Sequence, residues 1–322
     1  MADILFKEYE NCRLCPRQCR VNRYQTQGFC GEKSDLSIDA VLLHQGEEPC
    51  ISLNKGSGTI FFTGCSLRCP FCQNMQISQK STCKKIYSMD KFVEAMEGLI
   101  RSGAENINFV TPDHFSPHII EGIKALKKKG YKIPLIYNCS GFQSIEHLKS
   151  VVDYIDIFLF DYKFADPDVA KKILTTENYP EVCEQALEFI FKNKGNLTLD
   201  SHGKAISGVL VRHLLMPGFV HNSLRIFNNL LVDYGNKIYF SLMNQYSPKY
   251  LKPGFEYLNS RVSNEEYNEV VDHVLALGFV NGYIQEFLDA DDEFLPDFNH
   301  RTVFSNRISK ITSFINKKSD LE

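Results

Sequence analysis

The chain of 322 residues contains no run of eighteen apolar residues, the length at which a membrane-spanning helix becomes plausible. It also lacks an excess of positive charge. Against 36 Lys and Arg stand 39 Asp and Glu, a net charge of −3 with a pI near 6.3. That balance argues against the basic face with which nucleic-acid-coating proteins meet phosphates. The opening stretch MADILFKEYENC carries acids early and no apolar segment of the kind a secretory leader needs. Long linkers, low-complexity tracts and fixed-period repeats are missing as well. The expectation is a cytoplasmic globular protein with no membrane and no nucleic-acid partner. Hydrophobic residues at 43% and charged residues at 23% suffice for a full core and an ordinary surface.

Cysteine is what the chain has in quantity: eleven residues. Seven fall into two tight sets, Cys12, Cys15, Cys19 and Cys30, then Cys65, Cys69 and Cys72; Cys50, Cys83, Cys139 and Cys183 stand alone. Disulfides are rare in a reducing compartment, so clustering there favours metal ligation.

Residues 1–57 read as an irregular, cysteine-rich extension punctuated by Gly28, Gly31, Gly46 and Gly56. From 58 to 290 short apolar, β-rich runs alternate with helical stretches. Strands are expected at 59–63, 106–110, 134–138, 155–160, 208–215 and 237–242. Helices are expected near 89–102, 116–130, 144–150, 180–193, 221–233 and 263–277. Continuous apolar runs alternating with helices imply βαβ units and a buried parallel sheet. Six such units make an α/β protein with a partial (β/α)6 barrel; periodicity alone leaves a doubly wound open sheet as the alternative. Either fold gathers function at the carboxyl ends of its strands. Residues 291–322 remain as a C-terminal tail, and the acidic stretch from Glu286 to Pro296 reads as a solvated segment against the barrel edge.

The run Thr63-Gly-Cys65-Ser-Leu-Arg-Cys69-Pro-Phe-Cys72-Gln-Asn74 follows the first strand directly. Three thiolates spaced C-x3-C-x2-C can hold three irons of a [4Fe–4S] cube and leave the fourth open to a ligand. Gly64 would allow close backbone approach to the cluster, and Pro70 would stiffen the loop. Phe71 would cover the cluster or meet an adenine ring. A zinc site or chance spacing is the bland reading. A non-catalytic electron-transfer or zinc module would need a fourth ligand, for which Cys83 is the nearby candidate.

This motif resembles that of the radical S-adenosylmethionine (SAM) superfamily. The wider run GSGTIFFTGCSLRCPFCQNMQIS is similar to the pyruvate formate-lyase activating enzyme branch, and more closely to its short relatives named as glycyl-radical activating enzymes. Those relatives share the patterns seen here as CRLCPRQCRVNR, GFCGE, LHQGEEPCIS and GSGTIFF, and the similarity spans the chain from Cys12 to about Phe298. The resemblance implies that SAM sits on the open iron and that one electron cleaves it to a 5′-deoxyadenosyl radical, which takes a hydrogen atom from the substrate. It further implies cofactor contacts at the ends of later strands: Asn138 and Ser140, then Asp161 and Lys163, then Arg212, then Gln245, with Phe71 beside the cluster. Read alone, Asp161 and Lys163 could be a surface ion pair of little worth, His213 a structural histidine, and Cys139 a small hydrophobe. In one place the chain departs from the family, which has a Gly-Gly-Glu-like segment after the second strand. Thr111-Pro112-Asp113-His114 stands there instead; Pro112 lacks an N–H, while Asp113 could replace the carboxylate or His114 could face substrate.

The first cysteine set gives four thiolates spaced C-x2-C-x3-C-x10-C, which suits zinc or a second, fully ligated Fe–S cluster. A small segment tied down by metal is a common structural device, and Arg13, Arg17, Arg20 and Arg23 could balance the thiolate charge. A free thiol cluster or redox pair is the remaining reading. Glu47 and Glu48 lie in a loop, where paired acids are usually solvated, although the resemblance places this element near the barrel mouth.

The expected activity is radical cleavage of SAM, acting on a glycine of a partner protein. A small molecule, peptide or protein side chain is the alternative substrate. An electron donor such as flavodoxin or ferredoxin completes the expected partners.

Overall fold

The computed structural model describes residues 5–79, 85–174, 176–287, 295–299, 303–304 and 313–314. Its strands are β1 (Ser37–His44), β2 (Ser57–Phe62), β3 (Lys85–Ile86), β4 (Ile107–Val110), β5 (Leu135–Cys139), β6 (Ile157–Asp161), β7 (Thr198–Leu199), β8 (Ala205–Leu214), β9 (Tyr239–Met243), β10 (Gly282–Ile284) and β11 (Ser313–Phe314). The helices are α1 (Met75–Ser78), α2 (Met89–Arg101), α3 (Ser116–Lys128), α4 (Ile145–Val151), α5 (Pro167–Leu174), α6 (Tyr179–Lys194), α7 (Val220–Tyr234) and α8 (Asn264–Ala276). All but β7 lie along one sheet path, β11-β10-β9-β8-β6-β5-β4-β2-β1-β3, while β7 pairs with β8.

From β2 through β4, β5, β6, β8 and β9 to β10 every pairing is parallel, and strand order follows chain order without reversal. A doubly wound sheet must reverse its order at a switch point. An unreversed series of right-handed crossovers keeps its helices on one side and curls toward a barrel. The sheet stays open, so the fold is the partial α/β barrel, with β10 as a short seventh parallel strand.

The strands form because their apolar runs are covered on both faces. Alternate side chains of β6 and β8 divide between two layers: Phe158, Phe160, Val209 and Val211 pack under the helices, while Ile157, Leu159 and Leu210 face inward with Cys50, Ile51 and Tyr283. Each such fully buried side chain contributes about 1.5–3 kcal/mol. The helices bury one stripe each; in α2 it is Phe92, Val93, Met96 and Leu99. Ser88 caps α2, Ser144 caps α4, and Ser263 with Glu266 forms a capping box on α8, so local chemistry sets these starts.

Residues 1–57 depart from the irregular extension expected of them. β1 runs antiparallel to β2, with Val41 opposite Ile60 and His44 opposite Ser57, and so belongs to the sheet. Cys50 and Ile51 fill the inner layer. The helix α5 was absent from the sequence expectation because it is short. Near the C-terminus the solvated reading of Glu286–Pro296 holds at Glu286, which is exposed, and fails at its far end. Leu295 is buried, and Phe298 packs edge-on against Phe61. Residues 288–294, most of the 291–322 tail, and Cys83 lie outside the described residues.

Candidate active site

The turn after β2 carries Cys65, Cys69 and Cys72, and all three thiols face a cavity of about 230 Å3 at the carboxyl end of the sheet. The same cavity is lined by Phe71, by Asn138 and Ser140 after β5, by Asp161 and Lys163 after β6, by Arg212 on β8 and by Gln245 after β9. Every residue expected at a strand end to meet a cofactor is therefore brought to one space. Strand-end position does this, since all these strands run the same way.

The cysteine turn is held from several sides. Gly64 has φ +78, and a Cβ there would come within 2.7 Å of the Cys30 carbonyl oxygen and 2.6 Å of Glu32 Cγ. Its glycine thus serves close packing against the N-terminal segment. The Cys65 N–H donates to the Cys30 carbonyl at 3.2 Å, and Thr63 Oγ1 donates to Glu32 at 3.0 Å. Gln79 donates to the Cys69 carbonyl and Gln73 to the Gln245 carbonyl. Leu67 N–H points at Cys65 Sγ (3.4 Å), and Ser78 Oγ lies 3.3 Å from Cys72 Sγ. Burial pushes the Cys65 thiol up to about 11, with Cys72 adding to the effect, and burial likewise raises Cys69 and Cys72. Without a cation these thiols stay protonated; a metal centre reverses that, because it binds thiolate.

Asp161 Oδ2 and Lys163 Nζ are 2.6 Å apart, both partly buried at the cavity wall. Burial works against the Lys163 ammonium, but the Asp161 charge and hydrogen bond, with Cys69, outweigh it and hold the pKa above its usual value. The Tyr179 hydroxyl fixes their backbone: it donates toward the Ser140 and Asp161 carbonyls (2.9 and 3.1 Å) and accepts from the Lys163 N–H (3.1 Å). Gly141, with φ +77, makes this possible, since a Cβ there would sit 2.3 Å from the Asp161 carbonyl oxygen.

The solvated reading of Glu47 and Glu48 is overturned. Their side chains are only 8% and 1% exposed, and both pair with Arg212. Arg212 Nε donates to Glu48 Oε1 at 2.9 Å and its NH2 to Oε2 at 2.6 Å, while Asn108 donates to Glu47 at 2.8 Å. Burial alone would raise the Glu48 carboxyl, but the Arg212 charge and hydrogen bonds hold it below its usual value. Arg212 thus lines the cavity with its guanidinium already engaged by two carboxylates.

In the departing segment, Thr111 reaches the cavity with a left-handed backbone (φ 55), while Asp113 and His114 turn into the core. Asp113 accepts from Tyr137 and Gln143, and the His114 ring meets the Thr63 carbonyl at 2.6 Å. Neither lines the cavity, so neither takes the place of the absent carboxylate nor faces a substrate there. His213 is structural: its ring is fixed between the Tyr162 carbonyl and Ser223, and burial lowers its pKa to about 4. Tyr246 is buried with its hydroxyl on the Leu258 carbonyl. Cys139, expected to pack as a small hydrophobe, is 1% exposed yet sits on the cavity wall. Reading the sequence missed His44, Pro296 and Phe304 as cavity residues, and His44 stacks on Phe304 at 4.0 Å. No local pattern announces such contacts between distant segments.

Residues 59–203 match the family model of the radical SAM superfamily. The matched span runs from β2 to the turn before β8, a little under half of the chain. An uncharacterized protein of Methanocaldococcus jannaschii is 28% identical over 271 residues, 82% of this chain and 74% of its own. A second protein of that organism, named "Putative glycyl-radical enzyme activating enzyme", is 28% identical over 109 residues, 32% of this chain and 42% of its own. Among solved structures, Streptococcus suis SuiB aligns with TM-score 0.47 and 9% identity over 69% of this chain and 47% of its own. The FeFe-hydrogenase maturase HydG of Carboxydothermus hydrogenoformans aligns with TM-score 0.46 and 14% identity, over 72% and 52%. The chain spans about half the length of these solved structures.

The radical SAM family implies a [4Fe–4S] cluster and SAM. The donor set suits both. Three thiols share one cavity wall. A cube spreads its thiolates over separate irons. The Ser140 hydroxyl is buried on the same wall with no hydrogen-bond partner among the described residues, as a site awaiting a polar ligand requires. No helix among the described residues is long and apolar enough to cross a membrane.

Proposed function

We propose that this chain is a radical SAM enzyme of the activating-enzyme type, with Cys65, Cys69 and Cys72 as ligands of the catalytic [4Fe–4S] cluster. The supporting observation is the convergence of three thiols and the Asp161–Lys163 pair on one cavity. With SAM bound, the cluster would supply reductive cleavage to a 5′-deoxyadenosyl radical that abstracts hydrogen. The chain's own groups would bind and orient. Asp161 and Lys163 carry the paired charges that meet a zwitterionic amino-acid moiety. Asn138, Ser140 and Gln245 offer neutral donors and acceptors to its polar remainder, and Phe71, packed between Phe164 and Tyr246, offers an apolar wall. Arg212, held by Glu47 and Glu48, keeps the inner cavity polar and rigid. A backbone glycine of a partner protein is the proposed site of hydrogen abstraction, supported by the partial similarity to the named activating enzyme. Flavodoxin or ferredoxin is the proposed electron donor.

The test is anaerobic reconstitution followed by SAM and a strong reductant, with 5′-deoxyadenosine quantified for wild type and for the Cys65→Ala/Cys69→Ala/Cys72→Ala variant. Deoxyadenosine from wild type alone supports the reading. A loaded wild type that yields none, and whose reduced EPR signal is unchanged by SAM, refutes it.

A further inference from the structure

The four N-terminal cysteines do not open onto the catalytic cavity, yet they lie directly behind it. Cys12, Cys15 and Cys30 are buried and Cys19 half-buried, and none forms a disulfide. A Cβ built on Gly28 would lie 3.3 Å from Cys30 Sγ and 3.5 Å from Cys19 Sγ, so these thiols close on one small cradle. Arg23 is fully buried, stacks on Tyr9 at 4.3 Å, donates to the His114 and Lys33 carbonyls and reaches the Cys12 sulfur. The ionisable groups that act on its charge are Tyr9, Cys30 and Cys12.

Two contacts join this site to the cavity loop. Cys30 accepts the Cys65 N–H. Arg17 donates to the Ser66 carbonyl at 3.1 Å and to Thr176 at 2.7 Å, and lies over Phe29, with its charge acting on Cys15 on one side and on Cys65 and Cys69 on the other. Four cysteine thiolates suit either one zinc ion or a fully ligated iron–sulfur cluster, and only a cluster can pass an electron to the loop it touches.

We propose that Cys12, Cys15, Cys19 and Cys30 hold a second iron–sulfur cluster, ligated by cysteine at every corner, with its Cys30 corner set against the Cys65 loop. Such a cluster has no open iron for a substrate, so it exchanges single electrons. One electron enters from a low-potential donor of the flavodoxin or ferredoxin class and leaves toward the Cys65 loop, and no bond is made or broken. The adjacency rests on reading Cys65, Cys69 and Cys72 as cluster ligands; the second site itself does not.

The test uses the Cys65→Ala/Cys69→Ala/Cys72→Ala variant, purified anaerobically and assayed for iron, acid-labile sulfide and zinc, with EPR after dithionite. About four irons and four sulfides per chain, with a cubane signal lost on adding Cys15→Ser and Cys19→Ser, are expected. One zinc without sulfide, or no metal with four titratable thiols, overturns the proposal. Should that variant fail to fold, wild type decides: about eight irons are expected, and about four irons with one zinc overturn it. In reduced wild type the two signals should broaden each other; a simple sum of independent signals overturns the adjacency. If loaded wild type makes no deoxyadenosine and its reduced EPR signal is unchanged by SAM, while the triple variant keeps its iron and sulfide, the proposed function falls and the second cluster stands.

Discussion

Arg212 and Glu48 stand 164 residues apart in the chain and face each other with two hydrogen bonds, Nε to Oε1 at 2.9 Å and NH2 to Oε2 at 2.6 Å. This fork ties the segment between β1 and β2 to β8 across the cavity. Breaking a buried pair by removing one partner leaves an uncompensated charge, at a cost of about 3–5 kcal/mol. Arg212→Ala strands two buried carboxylates, so it should lie at the upper end of that range. Removing both carboxylates together with the arginine should cost less than Arg212→Ala alone. Denaturant midpoints of the metal-free proteins would show this, and equal losses would mean the pairing contributes little.

Tyr179 is a positioning residue, because its hydroxyl holds the backbone at Ser140, Asp161 and Lys163 while the residue does not line the cavity. Tyr179→Phe leaves buried carbonyl and amide groups short of a partner, at about 1–3 kcal/mol. SAM affinity of the reconstituted enzyme should fall while iron content stays unchanged. Unchanged affinity at reduced stability would make Tyr179 purely structural.

Thr111 is β-branched and left-handed at φ 55, an arrangement that ordinarily costs about 1–3 kcal/mol. Thr111→Gly relieves that strain but adds freedom to the unfolded chain, so the two effects nearly cancel. The variant should match or exceed wild-type stability by up to about 1 kcal/mol and bind SAM less well. A loss larger than about 1 kcal/mol would show that the backbone at this position is not strained.

His213 is held neutral by burial, with its pKa lowered from 6.5 to about 4. The unfolded chain takes up this proton as pH falls through 6.5, whereas the folded chain resists until about 4. Folding stability is therefore lost across that window as pH falls, by about 3 kcal/mol from this group alone. Unfolding of the metal-free wild type should show that slope between pH 6.5 and 4, and His213→Gln should flatten it. The same slope in the variant would assign the acid lability to other groups.

Much of the candidate site could be read in the sequence because its chemistry is local. The C-x3-C-x2-C spacing lies within one turn, and each polar strand end follows its own apolar run. Parallel strands then carry Asn138, Ser140, Asp161, Lys163, Arg212 and Gln245 to one end. The strand β1 escaped notice because most of its residues are only half-buried, so its burial does not alternate cleanly. Glu47 and Glu48 were misjudged for a different reason. A carboxylate in a loop is solvated unless a distant cation meets it, and Arg212 is such a cation.

What the sequence determined by itself, then, was composition, the alternation of apolar runs with amphipathic helices, and the thiol spacings, all set by nearest neighbours and turn geometry. The tertiary structure alone decided the unreversed strand order that excludes a doubly wound sheet. It also decided the inward turn of Asp113 and His114, the burial of Glu47 and Glu48, and the hydrogen bond from Cys65 to Cys30. Each of these depends on which distant surfaces the chain buries against one another, and burial, unlike spacing, is a property of the whole fold.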